Sequence, residues 1–237
     1  PVNYVDFYEK VTTYVAILAG PAQAIDPKAD PRTFPFIASD DDDSPFLYED
    51  TASSRAQIVA VNDKLKLSKV AIVGLGGSGS YILDLVSKTP VKEIHLFDGD
   101  RFSQHNAFRS PGAPSGETLQ TKPQKVQYFA DLYAAMRKGI LPHDCYLDAS
   151  NAQLLEGMEF VFICIDQGSA KRAVVEKLVE IGVPFIDVGM GLVLVDDALT
   201  GILRVTTCTK DKKDHIATKI PFGDPKPDDD YATNIQV

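Results

Sequence analysis

Cysteine is scarce in this 237-residue chain: there are three, Cys145, Cys164 and Cys208, and none is spaced as a CxxC pair. That excludes a disulfide scaffold and a zinc knuckle, and it points to a reducing compartment with a cytoplasmic location. Long apolar runs are missing too, since no stretch reaches the ~18 residues that would cross a membrane. Positive charge is outweighed: 24 Lys+Arg face 33 Asp+Glu, a formal net charge of −9. Binding to phosphate backbones needs a basic face, and the cations here are dispersed or attached to motifs, so neither nucleic acid nor membrane is an expected partner. There is no signal-peptide pattern, and the chain opens on Pro1 and stops on Asn234-Ile235-Gln236-Val237 in mid-pattern. A segment of a longer polypeptide is therefore expected.

What is present is enough for a core, with 44% of residues hydrophobic. Phe7, Val11, Tyr14 and Leu18 recur at helical spacing up to Gly20-Pro21, which predicts an amphipathic helix ending there. Pro27, Pro31, Pro35, the acidic Asp40-Asp41-Asp42-Asp43 and Pro45 then predict an extended tether. The chain thus divides into an N-terminal helix and acidic linker, 1–45, and a core domain, 46–237. A second helical pattern runs from Ala52 to Leu65. From Lys69 apolar runs alternate with helical patterns, which predicts an α/β domain: a Rossmann-like, mostly parallel sheet with helices on both faces. Strands are expected at 69–73, 93–98, about 144–147, 159–165 and 184–188. Helices are expected at roughly 78–88, 123–138, 151–156 and 169–182. Leu192–Val195 and Gly201–Thr207, separated by Asp196-Asp197, read as an antiparallel addition, and 210–230 as a crossover or mobile loop.

Residues 70–79 carry the chemistry. A β-branched run meets G-x-G-x-x-G at Gly74, Gly76 and Gly79, with Gly77 inside it, and Phe97-Asp98 closes a second apolar run nineteen residues after Gly79. Such a turn lets phosphate oxygens approach backbone N–H groups at a helix's positive end, while the acid accepts ribose hydroxyls. Alone, the glycines favour a dinucleotide, NAD or FAD. Downstream stand Asp100, Asn106, Arg109, Lys122, Lys125 and Asp166. A triphosphate carries about four negative charges that need cations, amides and a metal, and these residues compose such a cradle. Taken singly, Arg109 and the lysines also read as solvated charges, and Asp166 as a helix cap ahead of Ser169.

In order, Val73-Gly-Leu-Gly-Gly-Ser-Gly-Ser80, Phe97-Asp-Gly-Asp100, Gln104-His-Asn-Ala-Phe-Arg109, Lys122-Pro-Gln-Lys-Val126 and Ile163-Cys-Ile-Asp166 resemble the adenylation domain of the ThiF/MoeB and ubiquitin-activating (E1-like) family. The resemblance spans about Arg55 to Gly201. Within the family, Tyr48–Arg55 and Leu203-Arg-Val-Thr-Thr207 look most like bacterial ThiF-type proteins with an extra N-terminal domain, found with ubiquitin-like conjugation genes. It implies that Gly74–Gly79 lie against ATP, Asp98 binds the ribose, Asn106, Arg109 and Lys125 hold the phosphates, and Asp166 binds Mg2+. It also implies a homodimer in which Arg55 reaches the partner's site, a ubiquitin-like or ThiS-like protein whose C-terminal carboxylate is adenylated, and a conjugating enzyme as a further partner.

The sequence departs from that pattern in two places. Lysine usually follows proline directly, whereas here Pro123-Gln124-Lys125 intervenes, so Lys122 and Lys125 compete for the phosphate role, with Val126 favouring Lys125. The family's paired CxxC motifs are absent, and zinc is not expected. A thioester step would need an exposed, activated thiol, for which Cys208 is the candidate by position, against the plainer reading of a strand-end cysteine. Two other readings stand beside adenylation. An NAD-dependent oxidoreductase accounts for the glycines and Asp98 but not for Arg109, Lys125 and Asp166. A non-catalytic nucleotide-binding dimerisation module would have no need of the phosphate ligands. A tRNA-modifying relative is disfavoured by the acidic balance.

Overall fold

The computed structural model describes residues 3–30, 36–39 and 41–223. The chain forms two compact units, Pro1–Ala38 and Ser39–Val237. The first is built on helix α1 (Phe7–Ile25), capped where Asp6 accepts a hydrogen bond from the Glu9 N–H at 2.7 Å. It runs through Gly20-Pro21 rather than stopping there, because a proline removes one donor without preventing the next turn from closing at the Asp26 N–H to Ala22 carbonyl bond. None of its residues is buried. The expected tether falls partly outside the described residues. What is described of it after Ser39 belongs to the second unit: the Lys138 N–H donates to the Pro45 carbonyl at 2.7 Å, and Lys92 Nζ lies 3.3 Å from Asp43 Oδ1.

In the second unit, the helical pattern of 52–65 breaks into α2 (Thr51–Arg55), α3 (Val59–Asn62) and a 3-10 turn, with Gln57 between them at φ 58°. The sheet follows, with β1 (Lys69–Val73), β2 (Glu93–Phe97), β3 (Ile140–His143), β4 (Phe160–Ile163), β5 (Phe185–Val195) and β6 (Ala198–Cys208) in the spatial order β3-β2-β1-β4-β5-β6. All neighbours are parallel except β5 and β6. The expected mixed α/β class therefore holds. The third strand lies at 140–143, before the expected 144–147, and 151–156 contains only a 3-10 turn. Strands β5 and β6 form one long hairpin turned by Asp196 and Asp197, both at positive φ, as a two-residue type I′ turn requires.

Helices α4 (Gly77–Val86), α5 (Gln104–Ala107), α6 (Gly116–Thr121), α7 (Lys125–Ala134) and α8 (Gly168–Ile181) connect the strands. Successive residues of β1 point to opposite faces and feed separate cores. Val70 and Ile72 pack with Leu83 of α4 and Phe129 of α7; Ala71 and Val73 pack with Val174 and Leu178 of α8. The tail does not run free over 210–223. Helix α9 (Ile216–Lys219) buries Ile216, and Ile220 joins the α8-side core, so this part is docked. The rest of the expected crossover, from 224, lies outside the described residues.

Candidate functional site

In a parallel sheet ordered 3-2-1-4-5, chain connections leave in opposite directions from β1 and β4, and the crevice at their C-terminal ends is where ligands bind. A cleft of about 1290 Å³ opens there. It is entered from the β1 turn, from Asp98 after β2, from Asp166 after β4 and from the root of the β5–β6 hairpin.

The β1 turn is built by three glycines doing different things. Gly74 sits at φ 91°, and its N–H donates to the Phe97 carbonyl at 2.8 Å. A Cβ on Gly79 would stand 1.9 Å from the Gly74 carbonyl oxygen, so only glycine lets α4 start so close to the strand. Gly76 caps α4 at an ordinary φ of −71°, and a Cβ there would meet nothing within 4 Å. Gly76 and Gly77 line the cleft, where their bare backbone faces space a ligand can fill.

Asp98 is 7% exposed and accepts from the Leu75 N–H at 2.7 Å and the Asp100 N–H at 2.8 Å. Burial raises its pKa, against the pull of Lys125 and those two donors. Lys125, the first residue of α7, puts its Nζ 2.6 Å from Asp100 Oδ2 and 3.7 Å from Asp98 Oδ1. Burial opposes ionisation of Asp100, but Lys125 and the Tyr146 hydroxyl, which donates to it, hold its pKa below the usual carboxylate value. The same bond, with burial, pushes the Tyr146 phenol up to about 12.

Arg109 lines the cleft with its Nε buried and without a hydrogen-bond partner. Its place is set by α5, where Asn106 is 3% exposed and its Oδ1 accepts from the Ser103 N–H at 2.8 Å. Asn106 does not line the cleft; it fixes the turn that presents Arg109. Of the two competing lysines, Lys125 lines the cleft, whereas Lys122 is exposed at the left-handed end of α6, with its carbonyl accepting from Arg101. Asp166 is exposed at the cleft three residues beyond β4. Arg55 ends α2, exposed and outside the lining.

Cys208 stands against the thioester expectation. It is 3% exposed, sits in the α8-side core, and burial raises its thiol pKa, the reverse of an accessible activated thiolate. Cys164 lies at the cleft floor, where burial first and Asp187 second push its pKa up to about 12.

Sequence reasoning missed several residues that converge on the cleft. Besides Tyr146 and His105, Lys171 of α8 and Arg204 of β6 stand there, tied together by Asp187 of β5. An acid inside an apolar strand, Phe185-Ile-Asp-Val188, was the available signal, because a buried carboxylate demands a cation. Burial first, then Arg109 and Lys125, lower the His105 pKa.

A Rossmann-like mixed sheet with a glycine turn and a cleft at its switch point is a nucleotide-binding arrangement. The chain belongs to the ThiF family, which matches residues 51–222, behind a domain of unknown function, DUF6791, that matches residues 1–51. Ubiquitin-like modifier-activating enzyme 5 of Gallus gallus is 26% identical over 167 residues, 65% of this chain and 41% of that protein. The Xenopus laevis enzyme is 25% identical over the same length. The chain thus matches less than half the length of these relatives. Among solved structures, E. coli MccB with ATP superposes with a TM-score of 0.53 at 19% identity, covering 61% of this chain and 48% of that one. E. coli tRNA N6-threonylcarbamoyladenosine dehydratase gives 0.51 at 18%, covering 57% of each. At these identities the two solved structures establish the shared fold.

Proposed function

We propose that this chain is the adenylation unit of an E1-like enzyme that transfers AMP from ATP to the C-terminal carboxylate of a ubiquitin-like protein. The observation that carries this reading is the gathering of Arg109, Lys125 and Asp166 around the glycine turn in one cleft. A dinucleotide asks for little positive charge beyond the turn, while a triphosphate asks for all three residues. In this reading Gly76 and Gly77 present N–H groups to the phosphates, Asp98 takes the ribose hydroxyls, and Arg109 and Lys125 neutralise the charge that gathers on the leaving pyrophosphate. A carboxylate oxygen attacks the α-phosphorus, the bond to the β-phosphate oxygen breaks, and pyrophosphate leaves. The protein positions the reactants and stabilises charge, and it contributes no covalent nucleophile.

Magnesium fits the donor set as an ion carried in by the nucleotide. Among the described residues no group of three or more His, Cys, Asp or Glu could hold a metal, and Mg2+ is commonly bound by one or two carboxylates with phosphate oxygens and water. Asp166 is the carboxylate that would hold it, and the ion would draw charge from the phosphates. A homodimer with Arg55 acting in trans belongs to the same reading. Its support is that Arg55 stands outside its own cleft's lining, while Met190, Leu194, Leu199, Leu203 and Val205 share one hairpin face at 45–70% exposure. Three free cysteines suit a cytoplasmic location, and among the described residues no helix is long and apolar enough to cross a membrane.

ATP–pyrophosphate exchange with candidate ubiquitin-like proteins tests the reading. Exchange that depends on both the protein substrate and Mg2+ is expected; none with any candidate, together with reduction or oxidation of bound NAD, would overturn it.

A further inference from the structure

The cleft has a second half that the phosphate machinery does not use. It is walled by the root of the β5–β6 hairpin, and its cations are Arg204 and Lys171. Both are anchored on one carboxylate: Lys171 Nζ lies 3.2 Å from Asp187 Oδ1, and an Arg204 terminal nitrogen lies 2.8 Å from Asp187 Oδ2. Asp187 is 0% and Lys171 3% exposed, whereas the Arg204 side chain keeps 30% of its surface open.

Arg204 is held in one pose by the strand beneath it. In the antiparallel register it stands opposite Gly189, and a Cβ on Gly189 would meet the arginine's terminal nitrogen at 2.5 Å. The missing side chain leaves the track along which the guanidinium crosses β5 to reach Asp187. Two cations on one carboxylate leave an excess positive charge at the cleft wall. Lys171 is already enough to neutralise Asp187, so charge balance alone gives no reason for a second, partly open partner. Among the described residues, the hydrogen bond to Asp187 occupies one of the five Arg204 donors. Its Nε is buried with no hydrogen-bond partner.

We infer that Arg204 is the substrate-binding residue of the acyl half of the cleft, donating to the carboxylate of the incoming C-terminus and then to the carbonyl oxygen of the acyl-adenylate. Asp187 and Lys171 act through it as positioning residues. The inference rests on the adenylation reading and gives it the element it lacks. A carboxylate has to approach a triphosphate of the same sign, and a fixed guanidinium offsets that repulsion at the acyl end as Arg109 and Lys125 do at the phosphate end.

The test is calorimetric titration of the full chain with two probes: the non-hydrolysable ATP analogue AMPCPP with Mg2+, and 5′-O-(N-glycylsulfamoyl)adenosine, a stable mimic of a glycyl-adenylate. Arg204→Gln should weaken the glycyl probe about 10- to 100-fold, the range for a lost hydrogen bond to a charged group, and leave AMPCPP within twofold. Arg204→Lys should recover part of the glycyl affinity, because the charge is kept and the fork is lost. AMPCPP affinity also reports that each variant is folded. Equal glycyl affinity in wild type and Arg204→Gln, or parallel losses for both probes, would overturn the assignment while leaving the adenylation reading in place. Wild-type protein that binds neither probe would instead overturn the adenylation reading beneath it.

Discussion

Substituting two glycines of one motif should separate packing from ligand approach. A Cβ on Gly79 would sit 1.9 Å from the Gly74 carbonyl oxygen, 2.9 Å from the Gly74 carbonyl carbon and 3.2 Å from Cys164 Cβ. The first distance falls about 1.4 Å short of the roughly 3.3 Å of a close carbon–oxygen contact. The obstacle is backbone and cannot rotate away, so α4 must back off β1, lifting Leu83, which is fully buried, out of its seat. Overpacking of this kind costs about 1–3 kcal/mol, and more where backbone must move. With a urea m-value of about 1–3 kcal/mol/M, Gly79→Ala should lower the unfolding midpoint by the order of 1 M. Gly76→Ala meets no atom within 4 Å and keeps an allowed φ. Its unfolding free energy should stay within about 1 kcal/mol of wild type, a small loss of cap quality being offset by a less flexible unfolded chain. Its nucleotide affinity should nevertheless fall at least about tenfold, because the methyl occupies the space where phosphate meets backbone. The readings are urea denaturation followed by fluorescence and calorimetric titration with AMPCPP. A Gly79→Ala protein with wild-type stability, or a Gly76→Ala protein with wild-type affinity, would refute the division of labour.

Arg109→Ala should weaken ATP by about 1.5–3 kcal/mol, the range for hydrogen bonds to charged groups, with little change in stability; unchanged affinity by calorimetry would make Arg109 a surface charge. Asp166→Asn should abolish pyrophosphate exchange and leave the circular dichroism spectrum intact. Mixing it with Arg55→Ala subunits should restore part of the activity, since a mixed dimer has one site with both residues; no rescue, or a monomer at micromolar concentration, would rule out action in trans. Stability should fall as pH drops from about 7 to 5.5. Burial lowers the folded pKa values of His95 and His143 below 6.5, so the unfolded chain takes up these protons first and binds more of them. The two rings lie side by side, nearly coplanar, with Nδ1 of His95 3.0 Å from Nε2 of His143, a contact that needs one donor and one acceptor. His143→Gln should flatten the slope over that window in denaturant titrations, and an unchanged slope would place the titration elsewhere.

Much of the fold is legible because central parallel strands are buried on both faces and read as unbroken apolar runs; β1 at 69–73 and β2 at 93–97 lie where those runs do. Strand β3 is legible only weakly. It is an edge strand, Ile140-Leu-Pro-His143, half-buried and broken by a proline that an edge can carry and a central strand cannot. The break at Gln57 and the continuation of α1 through Pro21 depend on how local backbone energies balance, which periodicity does not report. The glycine turn, Asp98, Arg109, Lys125 and Asp166 could be found because their motifs are local in sequence. Asp187, Lys171 and Arg204 could not be joined in the same way. They lie on three different elements, and only the register that sets Arg204 opposite Gly189 brings them together.

The most direct test of the account is a pair of calorimetric titrations of the full chain, one with ATP and Mg2+ and one with NAD, each repeated on Arg109→Ala. ATP should bind, Mg2+ should strengthen that binding, NAD should bind negligibly, and the arginine variant should lose ATP affinity. Binding of NAD with none of ATP, indifferent to Arg109, would contradict the account.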